Sequence, residues 1–298
     1  MKNKEKKIIL FSLILGIVLL FIEMVTAIVT DSQAMLMDAL YDSVDTIIVI
    51  VTLFLIRLYQ KPITEKKPFG YSQLESFFLL IKSFMILVLN INIIVSAVNL
   101  ILSGGKNLDL GIIALFQSVL FIFNLLGFII IKNASKKVKS PTVKIEALAW
   151  KSDVIYSFSL AFSFFVVKYL KGTNLEFLMK YFDQIVVIIS SAIMFPDILK
   201  AFKENITSVL LFAPNKEVID EVKEVVKDIL KDTSMKPKHY DVIKTGRKYW
   251  ISIYFKNNKQ FIDINELKEK TDICSKELKK KLGKVYVELV PDVENYYN

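Results

Sequence analysis

Apolar positions fall into two regimes along the chain. Through the first two-thirds they run in long blocks: Ile8–Val29, Ala34–Ile56, Leu74–Leu102, Leu110–Ile131, Ile145–Leu170 and Leu178–Leu199. Each block is near or above the roughly 20 residues a helix needs to cross a bilayer core. The pattern predicts six transmembrane helices. The first block is too long for the apolar core of a signal peptide, and no Ala-x-Ala-like cleavage site follows it.

After about Lys200 the blocks give way to periodic patterns. Asn215–Lys231 reads as an amphipathic helix, with Val218, Val222, Val225, Val226 and Ile229 on one side and Pro214 and Asn215 at its start. Tyr240–Lys244 and Trp250–Phe255 read as strands joined across Thr245 and Gly246. Asp263–Leu282 is a second amphipathic helix, closed by Gly283, and Val285–Val290 a last strand. The expected fold is an all-α membrane bundle of six transmembrane helices over 1–203, followed by a cytoplasmic α+β domain over 204–298. The order α-β-β-α-β makes that second domain ferredoxin-like in character. A domain this small gains from burial against a second copy.

Composition sharpens the picture. The chain of 298 residues is 53% hydrophobic with a formal net charge of +9, and its mean hydropathy of +0.45 argues against both disorder and an ordinary soluble enzyme. The lysines explain the charge. They crowd the segment before the first helix (Lys2, Lys4, Lys6, Lys7), the second-to-third connection (Lys61, Lys66, Lys67) and the fourth-to-fifth connection (Lys132, Lys136, Lys137, Lys139). The alternate connections are poorer in them, so the positive-inside rule places both termini in the cytoplasm of a multi-pass protein of the inner or plasma membrane. Some of these lysines also meet anionic lipid. They are split among loops rather than gathered on one face, which speaks against nucleic acid as a partner. The chain has one Cys, Cys274, and one His, His239. That excludes a disulfide framework and any His- or Cys-rich metal cluster. Cys274 lies on the apolar stripe of its helix and reads as core, His239 as a surface residue.

The informative residues are acids at membrane depth, where ionisable groups are costly and mark ion pathways. The second helix carries Asp38, Asp42 and Asp45, spaced by four and three and so on one face, with Tyr41 overlapping it. The fifth carries Glu146 and Asp153, also on one face, with Ala149 between them. Two acidic faces on two helices suit a divalent cation, and carboxylates also exchange protons. Asp31 reads as a helix cap, and Asp38 either as a ligand or as a hydrogen-bonding group within the bundle. Glu23 either snorkels or lines the outer cavity. Lys82, in the third helix, either snorkels or forms an ion pair. Asn90, Asn92, Asn99, Gln117 and Asn124 read as amides that join helices. No nucleophile–base set, Gly-rich phosphate loop or second His supports an enzyme.

Three segments together resemble the cation diffusion facilitator family. Ser32–Asp45 is similar to the family's second-helix Ser…Asp-Ala-x-His/Asp-x-x-x-Asp pattern. Pro68-Phe-Gly-Tyr71…Glu75 is similar to its Pro-Tyr/Phe-Gly-His…Glu entry to the third helix, and Glu146–Asp153 to its fifth-helix His/Asp-x-x-x-Asp motif. The resemblance implies a homodimeric, proton-coupled exporter of divalent metal, with the metal as substrate and no cofactor. The family's four ligand positions fall on Tyr41, Asp45, Ala149 and Asp153. Asp45 and Asp153 match. Tyr41 is a weak neutral ligand and Ala149 none, so Asp42, Asp38 or Glu146 would supply the missing oxygens. The family's motif His is Tyr71 here, its neighbouring ligand position is Lys67, and the tail lacks paired His residues. An oxygen-rich site favours Mn²⁺, Mg²⁺ or Fe²⁺ over Zn²⁺. The other function left open is a degenerate member that no longer transports and serves as a membrane partner or scaffold.

Overall fold

The structure, a computed structural model, describes residues 2–30, 33–59, 61, 63–67, 69–105, 112–138, 140–170, 179–258 and 261–292. Asp31, Ser32 and Pro68 lie outside these residues, and Asp38 is described only through its backbone. The order of elements is α1 (Lys2–Thr30), α2 (Gln33–Leu58), α3 (Ser72–Leu102), α4 (Ile112–Val138), α5 (Pro141–Leu170), α6 (Met179–Val209), α7 (Lys216–Leu230), β1 (Met235–Thr245), β2 (Lys248–Asn257), α8 (Ile264–Leu282) and β3 (Lys284–Pro291).

Five of these helices, α1, α2, α3, α4 and α6, are long and apolar enough to cross a membrane. Helix α5 is as long, at 30 residues. Its first half carries Lys144, Glu146, Lys151 and Asp153, and that charge separates it from the other five.

The chain divides into two compact units. The first comprises Met1–Gln60 with Phe78–Phe202, the second Lys61–Phe77 with Lys203–Asn298. In the first, α1 packs on α2, α4 on α5, and α1 also meets α4 and α5. Gly127 allows the close approach of α4 to α5: a Cβ there would lie 2.5 Å from Trp150 Cζ3. Helices α3, α5 and α6 share an apolar cluster built on Leu79, Ile86, Leu87, Ile145, Met194 and Ile198. Amides tie helices together as expected. Asn124 of α4 donates to Ser157 Oγ of α5 at 3.4 Å, and Asn92 of α3 to Tyr41 Oη of α2 at 3.4 Å.

In the second unit, α7, β1, β2, α8 and β3 form a three-stranded sheet of order β1-β2-β3 with helices packed on it. Strand β1 is antiparallel to β2, and β2 is parallel to β3. Ile251, Ile253 and Phe255 alternate inward from β2 onto Val222, Val226 and Leu230 of α7 and Cys274 and Leu278 of α8. Burial of this kind contributes about 25 cal/mol per Å² of apolar surface. Asp263 caps α8 by accepting from Asn265 N at 2.8 Å, and Gly283 ends it with a φ of 91°. Strand β1 begins at Met235, five residues earlier than its apolar pattern indicates. The extra stretch contains Pro237 and a register irregularity at Pro237/His239. Being at a sheet edge, it tolerates a residue with no N–H to donate. Cys274 is fully buried in the core. His239 sits at partial exposure, 3.0 Å from Asp241 Oδ1.

Candidate functional site

Lysine 82 stands ten residues into α3, about 15 Å from its start. It is only 3% exposed. An ammonium this deep is stable only with carboxylate partners, and it has two. Its Nζ lies 3.1 Å from Asp45 Oδ1 and 3.2 Å from Oδ2, and 2.6 Å from Glu146 Oε2. Of the two expectations for Lys82, snorkelling or an ion pair, the ion pair is present, and it joins α2, α3 and α5.

Glu146 is fixed from its other side. Ser12 Oγ of α1 donates to Glu146 Oε1 at 2.5 Å, and Trp150 Nε1 donates to Ser12 Oγ at 2.7 Å. All three residues are buried. The indole, the hydroxyl and the carboxylate thus form a relay in which each polar atom has a partner, so Glu146 is held in one place.

Asp45 differs from Glu146. Its side chain keeps 35% of its surface open, against 5% for Glu146. The open carboxylate is the one able to receive an ion, and the closed one is committed to protein groups. Asp42, three residues before Asp45 on α2, lies beside Glu23 of α1. Asp153 of α5 is exposed and feels the charges of Asp42, Asp45, Lys82 and Glu146. Tyr41 is half-exposed and accepts from Asn92. Ala149 packs into the apolar α3–α5–α6 cluster.

The expected site residues Asp42, Asp45 and Asp153 are therefore within electrostatic reach of one another. Among the described residues, however, no three His, Cys, Asp or Glu side chains converge at the distances of a metal shell. The positive charge at the centre is that of Lys82. A divalent ion about 4 Å from that ammonium would be repelled by roughly 8 kcal/mol at an effective dielectric constant of about 20. The two cations therefore compete for Asp45.

Sequence reasoning did not find Ser12, Trp150 or Gly127. A tryptophan and a serine in apolar helices carry no spacing signal that reveals a shared carboxylate. Lys82 was visible as an anomaly, but its partners were not.

The second unit contains its own polar cluster. Arg247, in the β1–β2 turn, forks onto Glu75, with Nη2 2.6 Å from Oε1 and Nε 2.8 Å from Oε2. Gly246 N donates to Ser76 Oγ at 2.6 Å. Gly246 has a φ of +53°, and a Cβ there would lie 2.6 Å from Glu75 Oε2, so only glycine fits the turn. The motif glutamate Glu75 is thus engaged with protein. Nearby, Lys67 Nζ donates to Tyr71 Oη, and that bond together with the lysine's charge pulls the phenol below its usual range. Burial, together with Lys284, holds the Lys248 ammonium below the usual lysine range.

Several helices fit to span a bilayer, and buried charges at depth, define a multi-pass membrane protein that handles ions. The profile of the cation efflux transmembrane domain matches residues 9–210. The chain therefore belongs to the cation efflux, or cation diffusion facilitator, family, whose members transport metal cations across membranes. Among curated proteins, none matches the chain.

Proposed function

We propose that this protein exports a divalent cation by proton-coupled antiport, as a homodimer that exposes its site alternately to the two sides. The observation that carries this reading is the set of carboxylates on α2 and α5, Asp45 and Asp153, within the matched domain. These two are the core ligands, with Asp42, Asp38 or Tyr41 completing the shell. The carboxylates themselves are the groups that would exchange protons for the ion. Helix α5 is the sixth span, its charged half shielded by α1, α3 and α4. Both termini are cytoplasmic, and 204–298 is a three-stranded relative of the ferredoxin-like fold that follows the membrane domain of 1–203 in the chain. With oxygen as the only strong donor, Mn²⁺ or Fe²⁺ is favoured over Zn²⁺.

Proteoliposome transport tests the reading. Wild-type protein should move Mn²⁺ against a proton gradient. Asp45→Asn and Asp153→Asn should each slow it by about tenfold or more, the loss expected when a charged partner is removed. Normal rates in both variants would refute the site.

A second reading has specific support. Lys82 already occupies Asp45, and Ala149 is turned into an apolar cluster. A non-transporting member that uses the ammonium as permanent filling would have these features. Wild-type protein that neither binds nor moves any divalent ion would favour it.

A further inference from the structure

We propose that Lys82 is a tethered competitor of the transported ion: its ammonium occupies Asp45 when the site is empty and withdraws onto Glu146 when a divalent cation binds. The inference rests on the transporter reading above and specifies how that site is emptied.

Three observations carry it. First, the ammonium meets both oxygens of Asp45, at 3.1 and 3.2 Å. A metal would bond either oxygen at roughly 2.0–2.2 Å, inside the space the ammonium's charge dominates. Second, the two partners of Lys82 are unequal. The bond to Glu146 is the shorter, at 2.6 Å, and Glu146 is anchored by Ser12 and through it by Trp150. Lys82 can give up Asp45 and keep a buried, fixed counter-charge. Third, Asp45 is the partner with open surface. Glu146 is therefore a parking site for lysine rather than a ligand for metal, which removes it from the set of replacement oxygens.

The consequence is a binding site of deliberately reduced affinity. Each release of the ion is assisted by return of the ammonium, with no change in protonation required of Lys82 itself.

The test is Mn²⁺ titration calorimetry on full-length protein in detergent, with Mn²⁺ flux in proteoliposomes. Because Lys82→Gln alone strands the buried Glu146, the informative variant is the neutral pair Lys82→Gln/Glu146→Gln. It should bind Mn²⁺ about tenfold or more tighter than wild type, with slower flux, since a competing charge has gone. Glu146→Gln alone should do the opposite and weaken binding, because Lys82 is then left with Asp45 only. Lys82→Arg should stay near wild type. If the double variant binds no tighter, or Glu146→Gln binds tighter, the proposal is overturned. The site assignment fails separately, if Asp45→Asn and Asp153→Asn retain wild-type affinity. Binding gained by the double variant where wild type shows none supports the competitor, and binding by neither overturns it.

Discussion

Gly127 shows how much one hydrogen atom can decide. Its missing side chain is the space that the Trp150 ring fills, and the Trp150 indole orients Ser12 toward Glu146. Gly127→Ala should push the ring aside and loosen that relay, destabilising the protein by about 1–3 kcal/mol, the usual range for overpacking. A lower thermal midpoint, with a shifted indole emission in a Trp250→Phe background, would register it. An unchanged midpoint and spectrum would mean that α4 and α5 do not meet there. At this scale the sequence was legible for charge and silent for contact. The spacing of Asp42 and Asp45, and the anomaly of Lys82 in an apolar run, stand out in one dimension. The pairing of Ser12 with Glu146 spans 134 residues and leaves no local trace.

At the scale of elements, periodicity carried most of the fold. Helices α7 and α8 and strands β2 and β3 lie within a residue or two of where their patterns put them. Strand β1 extends further, because an edge strand admits Pro237 and charged residues that a central one would not. The Thr245-Gly246 turn was legible through its glycine, whereas its attachment to Ser76 and Glu75 was not. That attachment makes a prediction for the β1–β2 hairpin. Arg247→Met takes the guanidinium away from a Glu75 carboxylate that is 1% exposed and leaves it the backbone N–H of residue 247 at 3.1 Å; breaking a buried pair costs up to about 3–5 kcal/mol. Amide exchange across residues 244–249 should rise sharply in the full-length protein. Lys at 247 should restore it only in part, since an ammonium cannot fork. Exchange no faster than wild type would show the fork to be dispensable.

For the whole molecule, hydropathy separated a run of long apolar helices from a polar, periodic tail, and it was least decisive for α5, where charge in the first half dilutes the apolar signal. The proposed six spans and cytoplasmic termini are checked with the protein's own thiol as a silent background. Cys274 is buried, and burial pushes its thiol up to about 11. At pH 7.5 it stays protonated and should react slowly. The thiolate, and with it some loss of folded stability, appears only as pH rises from the ordinary thiol range toward that value. Single cysteines at Lys6→Cys and Asn257→Cys should label from the cytoplasmic side with an impermeant maleimide, and Ser103→Cys from the opposite side. Labelling of Lys6→Cys and Asn257→Cys from opposite sides would require an odd number of spans.

The Asp45–Lys82–Glu146 knot also has a history written into chain order. Lys82 is synthesised 37 residues after Asp45 and 64 residues before Glu146. As the chain emerges, α2 and α3 can therefore neutralise one another while α5 is still unmade. Glu146 then arrives as the late partner, and it makes the shorter contact. If Lys82 pairs with Asp45 before α5 is made, a half-built protein would not offer that carboxylate bare to a metal ion.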